Sequence, residues 1–173
     1  RVLLMPLGDL RGVSAGARVR RRGRRGTVAV GPELQGRIID GMGQALDGLP
    51  LPCSTCTRQP LYARPLTPLE RRPVETPMFL GIRALDGLLT CGEGQRLGIL
   101  AGPGVGKTVM LSMIAKRATC DVLVLALIGE RGREVADFVR NFTQTDAIKR
   151  TVVVASTSDR PPLERLRAAH LAT

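Results

Sequence analysis

Ala101-Gly102-Pro103-Gly104-Val105-Gly106-Lys107-Thr108 follows directly on the apolar run Arg96-Leu97-Gly98-Ile99-Leu100. An apolar run of strand length that breaks into a glycine-rich turn ending in Gly-Lys-Thr is the pattern of a P-loop. The chemistry explains the composition. Successive backbone N–H groups must wrap a phosphate chain, and only glycine combines φ > 0 with close backbone approach. Lys107 supplies a flexible point charge for the terminal phosphates. Thr108 offers a hydroxyl to Mg²⁺ and opens a helix whose N-terminal dipole faces the anion. The strict pattern opens with glycine and here has Ala101, the smallest residue with a Cβ. The nucleotide-contacting set read from this stretch is Gly102, Pro103, Gly104, Val105, Gly106, Lys107, Thr108 and Val109, with Thr108 as the metal ligand.

Outward from this loop the pattern alternates strand and helix. Gln95 to Leu100 reads as a strand, and Lys107 to Thr119 as a helix with a broad apolar face. Asp121 to Ile128 is a continuous apolar run, suited to a central parallel strand buried on both faces. A helix is predicted over Glu130 to Phe142, a buried strand over Arg150 to Ser156 and a further helix from Leu163 to Thr173. A short helix is read at Ile82 to Leu89. Strand–helix alternation at these lengths gives an α/β parallel sheet with flanking helices.

Upstream, the composition changes. Prolines at 50, 52, 60, 65, 68, 73 and 77 exclude any long helix between 31 and 81. This stretch reads as a connecting segment with one short strand near Gly36 to Ile39. Val2 to Met5 looks like the end of a β-domain, and the chain starts without Met, so the sequence is read as a fragment. The division predicted is residues 1–30 as the end of an incomplete N-terminal β-domain, 31–81 as the connection and 82–173 as a C-terminally incomplete core.

The 173 residues carry a formal charge of +11, and residues 1 to 37 hold nine arginines against Asp9 and Glu33. A nucleic-acid or membrane-surface patch is one meaning of Arg18-Val19-Arg20-Arg21-Arg22-Gly23-Arg24-Arg25. Single-stranded nucleic acid is held by stacking on aromatics, and the segment has none, so a solvated or partner-facing loop is expected and no nucleic acid. Cys53 and Cys56 form a Cys-x-x-Cys, but no second Cys/His pair completes a zinc tetrahedron and prolines flank the motif. Cys91 and Cys120 read as lone thiols of a reducing compartment. No leader and no apolar run of membrane-spanning length appears, which points to the cytoplasm.

A second constellation follows the Asp121 to Ile128 strand: Gly129-Glu130-Arg131-Gly132-Arg133-Glu134-Val135. Ligands in parallel sheets bind beyond the carboxyl ends of the strands, where the P-loop also lies. Glu130 is therefore read as the carboxylate that orients or deprotonates an attacking water. Arg131 and Arg133 contact phosphate or pair with acids across a subunit boundary. The competing structural meaning is that Glu130 and Glu134 only favour the first turn of the next helix.

Together with Leu85-Asp86-Gly87-Leu88-Leu89, Gly92-Glu93-Gly94-Gln95-Arg96 and Thr157-Ser158-Asp159-Arg160-Pro161-Pro162-Leu163, these motifs resemble the type III secretion system ATPases. Those proteins are kin of the flagellar export ATPases and of the rotary ATP synthase β subunit. Met5-Pro6-Leu7-Gly8-Asp9 and Gly36-Arg37-Ile38-Ile39-Asp40-Gly41 extend the likeness over nearly the whole chain, and the Thr-Ser-Asp-Arg-Pro stretch leans toward the injectisome branch. The resemblance implies a RecA-like P-loop NTPase core preceded by the remnant of an N-terminal β-barrel. It implies ATP and Mg²⁺, with Lys107, Glu130 and Arg131 catalytic. It also implies a homohexameric ring with ATP between subunits, bound to stalk and stator proteins of the secretion apparatus. Such rings release chaperones and unfold cargo at the inner face of the cytoplasmic membrane, in peripheral association with it.

Two departures stand out. Leu80 occupies a position where these proteins usually carry threonine. The family's next strand, ending in an Asp that orders Mg²⁺ and water, lies beyond Thr173, so the 173 residues alone are expected to be catalytically crippled. Three other classes share features of the sequence. An RNA-dependent ring ATPase would explain the basic N-terminus but needs upstream aromatics. An ATP synthase β-type subunit is disfavoured by Gly-Arg-Glu-Val after Gly-Glu-Arg. A degraded remnant acting only by binding is the last.

Overall fold

The computed structural model describes residues 4–8, 10–20, 26–51, 55–102 and 104–173. In chain order its elements are β1 (Thr27–Val30), β2 (Ile38–Asp40), β3 (Thr57–Pro60), β4 (Pro77–Met78), α1 (Arg83–Leu88) and β5 (Cys91–Gly92). They continue as α2 (Lys107–Arg117), β6 (Leu123–Ile128), α3 (Gly132–Thr143), β7 (Thr151–Ser156) and α4 (Pro162–Ala172). The core is a parallel sheet in the order β2-β7-β6. The fold is thus α/β with helices against a parallel sheet, as the alternation of patterns predicts.

Thr-Val-Val-Val-Ala-Ser makes β7 the centre of this sheet. Its β-branched residues suit a pleated surface packed on both sides, and Thr151, Val153, Val154 and Ser156 are each at most 1% exposed. One face of the sheet packs Leu127, Val153 and Ala155 against Ala115 of α2 and against Phe138 and Phe142 of α3. The two phenylalanines fall four apart on one helix stripe and stack with centroids 5.7 Å apart. Across the sheet, Val154 and Ile39 pack on Ala168 of α4. Burying each large apolar side chain contributes about 1.5–3 kcal/mol.

Three expectations are corrected. The run Asp121 to Ile128 yields an edge strand instead of a central one. β2, from the proline-rich segment, takes the second side of β7, so among the described residues β6 pairs with β7 alone, and Val124 is 47% exposed. Gln95 to Leu100 forms no strand, and Leu100 is 98% exposed. A strand exists only through a ladder, and no described strand pairs with these residues. The helix expected from Glu130 starts at Gly132, because Gly129 turns with φ 77° and the carbonyl of Arg131 accepts the N–H groups of Glu134 and Val135. The stretch from 31 to 81 also holds more structure than a bare connection: besides β2, its β3 pairs antiparallel with β1. Cys53 and most of the arginine run, residues 21–25, lie outside the described residues. Cys56 is half-buried, with its thiol 4.0 Å from Glu33 Oε2.

β2 is held in place by one polar knot. Arg37 makes two contacts to Asp47, Nε–Oδ2 at 2.7 Å and Nη2–Oδ1 at 2.8 Å, and donates to the carbonyls of Leu49 and Pro50. A fork-to-fork pair of this kind fixes direction as well as distance. These bonds from Arg37, with backbone N–H donation from Leu49 and Ile38, hold the Asp47 carboxyl far below its ordinary value near 3.8. At the far end of the sheet, the Arg150 guanidinium donates to the carbonyls of Ala118 and Cys120, tying the end of α2 to the start of β7.

The pH dependence follows from Asp47. The folded protein binds its proton less readily than the unfolded chain, so the stabilisation is complete above about pH 5. It is lost as pH falls below that value toward the depressed folded one. The urea midpoint is expected to drop between pH 5 and pH 3, and Asp47→Asn should lower the midpoint at pH 7 while flattening that drop. An unchanged pH profile in the variant would show that Asp47 does not carry the effect.

Candidate active site

The glycine-rich turn from Gly102 to Gly106 leads into α2. Gly104 and Gly106 have φ of 79° and 94°, and Gly106 caps the helix, its carbonyl accepting the N–H of Met110 at 2.9 Å. That left-handed geometry costs an L residue about 1–2 kcal/mol. Gly102 differs only in having an ordinary φ; at all three glycines a Cβ would meet no atom within 4 Å. Neither backbone geometry nor packing demands glycine at 102, so the room it leaves faces outward. Lys107 and Thr108 are the first two residues of α2. The first N–H groups of a helix lack intrahelical partners and carry its positive dipole end. Lys107, Thr108 and Val109 are all exposed, and Val105 is exposed beside them. Pro103 lies outside the described residues.

Glu130 comes to this helix end from the sheet. β6 and β7 run in parallel register with Ile128 opposite Ser156, so both strands end on one edge. Beyond that edge the N–H of Gly129 donates to the carbonyl of Ser156 at 2.8 Å, and the N–H of Ser158 donates to the carbonyl of Glu130 at 2.9 Å. These two bonds strap the Gly129–Glu130 segment to the loop after β7. The Glu130 carboxylate then stands 3.8 Å from Lys107 Nζ, with both side chains rather less than half exposed to solvent in relative terms, 42% and 44%.

The structure therefore brings Lys107 and Glu130 together across 23 residues of sequence. The Arg131 side chain pairs elsewhere. Arg131 caps α3, and its Nη1 lies 3.6 Å from Glu134 Oε1 on the first turn of that helix. Ser158 is a contributor that motif reading does not find. Its role is a backbone N–H, which no side-chain pattern encodes. Only its place directly after a buried strand hinted at it.

Residues 81–173 match the ATP synthase alpha/beta family, nucleotide-binding domain, and the chain belongs to that family. Its relatives narrow the comparison. Over 172 residues it is 50% identical to a type 3 secretion system ATPase of Sinorhizobium fredii, covering 99% of this chain and 38% of that protein. A flagellum-specific ATP synthase of Salmonella typhimurium is 46% identical, covering all of this chain and 39% of its own. Among solved structures, the assembled ATPase EscN of enteropathogenic E. coli, in complex with its central stalk EscO, superposes with TM-score 0.78 at 49% identity. That match covers 84% of this chain and 36% of the other. The chain spans under two-fifths of the length of the curated relatives it matches.

The strained turn gives a direct test. Gly106→Ala should destabilise the chain by about 1–2 kcal/mol in urea titration. Equal stability would mean that the left-handed cap is not required.

Proposed function

We propose that the full-length protein is an ATP-hydrolysing motor subunit that energises type III protein secretion. It acts as a ring hexamer with the nucleotide between subunits, releasing chaperones and unfolding cargo for export at the cytoplasmic face of the membrane. The observation that carries this reading is the 3.8 Å approach of Lys107 to Glu130. It joins a phosphate-facing cation at a helix N-terminus to a carboxylate at a strand end, the two groups that hydrolysis of a phosphoanhydride needs. The likeness over the whole chain to secretion and flagellar export ATPases supports the motor role. The Thr157-Ser158-Asp159-Arg160-Pro161 stretch favours the injectisome branch over the flagellar one.

The donor set fits ATP with Mg²⁺. The exposed Thr108 hydroxyl is a hard oxygen ligand at the helix start, and nothing crowds the backbone at Gly102, Gly104 and Gly106 against a phosphate. Thr108 would help hold Mg²⁺, whose charge would stabilise the negative charge that develops on the departing ADP. Lys107 would draw the β- and γ-phosphates onto the N-terminus of α2, aided by the N–H groups of Gly104 to Lys107. Doing so takes the ammonium from Glu130 and frees that carboxylate. Glu130 would then orient a water for in-line attack on the γ-phosphorus and accept its proton as the bond to ADP breaks. Arg131 would have to leave Glu134 to reach the phosphates, which makes it a contact formed only when nucleotide or a neighbouring subunit is present.

In the full-length protein Lys107→Ala should abolish ATP turnover, because it removes the main phosphate-facing charge. Glu130→Gln should leave ATP affinity near normal while turnover falls by about 10²–10⁴-fold. Parallel loss of binding and turnover in Glu130→Gln would make Glu130 structural. Many-fold stimulation by RNA with steep salt dependence would replace secretion with an RNA-driven ring motor.

A further inference from the structure

Glu164 sits on the first turn of α4 and is 3% exposed, yet its Oε1 accepts no hydrogen bond among the described residues. Such atoms are rare in folded proteins, because a buried carboxylate oxygen without a donor has lost its hydration without replacement. The fold makes room for it deliberately. At Gly41, just after β2, a Cβ would lie 2.6 Å from the carbonyl oxygen of Glu164 and 3.2 Å from its Cγ. Only glycine lets α4 and the Glu164 side chain come this close to the sheet. An apolar residue of similar volume would serve packing as well or better, since replacing a buried charge with a hydrophobe is often neutral or stabilising. Packing therefore does not explain the carboxylate.

The cation it faces does. Arg160 Nε lies 3.9 Å from Glu164 Oε1, and Arg160 is half-exposed. Arg160 closes the turn after β7, its N–H donating to the carbonyl of Thr157 at 3.0 Å. Inside that turn Asp159 is held by the Thr157 side chain, which keeps its carboxyl below the ordinary range. The same turn carries the Ser158 N–H that holds the Glu130 carbonyl at 2.9 Å. On its far side the turn runs into α4, where the Glu164 N–H donates to Pro161 at 3.0 Å.

We propose that Glu164, acting through Arg160, is a positioning residue for Glu130. The buried carboxylate anchors the guanidinium, the guanidinium sets the turn from Thr157 to Arg160, and the turn fixes the main chain that aims the Glu130 carboxylate. This rests on the ATP-hydrolysis reading of the site. Among the described residues no hydrogen bond or ion pair joins Glu164 or Arg160 to Lys107 or the glycine-rich turn, so their loss should leave nucleotide binding intact and misplace only the carboxylate.

The experiment uses the full-length protein and steady-state ATP hydrolysis. Arg160→Gln, at a half-exposed site, and Glu164→Gln, nearly isosteric, should each lower kcat about tenfold while KM for ATP stays within about twofold. The double variant should be no slower than either single one, because both break the same chain of contacts. Arg160→Lys should recover part of the rate. Unchanged kcat in Arg160→Gln, additive losses, or a rise in KM without a fall in kcat would overturn the proposal. If Glu164→Gln does not fold, Arg160→Gln and Arg160→Lys decide alone. Glu130→Gln separates the two levels. Full turnover there would overturn the active-site reading itself, whereas a dead Glu130→Gln beside a fully active Arg160→Gln would overturn only the positioning role.

Discussion

The parallel ladder on both sides of β7 is the constraint on which the rest of the structure depends. β7 has strands on two sides and helices on two faces, and all its side chains but the half-buried Val152 are buried, so it cannot shift register without exposing its apolar set. Because β6 runs parallel to β7 with Ile128 opposite Ser156, the loops after both strands emerge on one edge. The bond from Gly129 to Ser156 and that from Ser158 to Glu130 are consequences of this register. The same ladder seats α3 through Phe138 and Phe142, and Ala115 brings α2 onto that face. The approach of Lys107 to Glu130 is therefore a product of sheet register and helix packing, not of any local attraction between the two.

The ion pairs of the molecule divide by burial, and the division matches what they do. Arg37 and Asp47 are enclosed and bidentate, and they fasten the proline-rich segment to the core where ordering must be permanent. Lys107 and Glu130 are loosely paired and open to water. Water screens such a pair, and its net contribution is small. A polyphosphate can displace it without a large cost. Glu164 falls between the two classes: a buried acid facing a half-exposed base, suited to holding a loop and not a scaffold.

Much of this organisation is legible in the sequence. Ala101 to Thr108 shows a phosphate-binding turn because glycine at φ > 0 and a following lysine and threonine have few other uses together. The apolar runs read at Asp121 to Ile128 and Arg150 to Ser156 mark strands, and the pattern from Glu130 to Phe142 marks a helix. Other parts were not legible. That β2 would take the open side of β7 depends on a long-range pairing between Ile38–Asp40 and Val153–Ala155, and three residues carry no pattern strong enough to announce it. Gln95 to Leu100 has strand composition but no described partner, and composition cannot supply a ladder.

The sequence by itself determined the chemistry available to this protein. Lysine, threonine and glycines at one turn, and a carboxylate after one apolar run, are local facts fixed by residue type. Tertiary structure alone decided which of those groups meet. Arg131–Glu134 and Arg160–Glu164 are neighbours three and four apart, but Glu130 reaches Lys107, and Glu164 is buried, only through strand order, register and the glycine contact at residue 41. Those are set by the packing of segments far apart in the chain, and no local pattern of residues contains them.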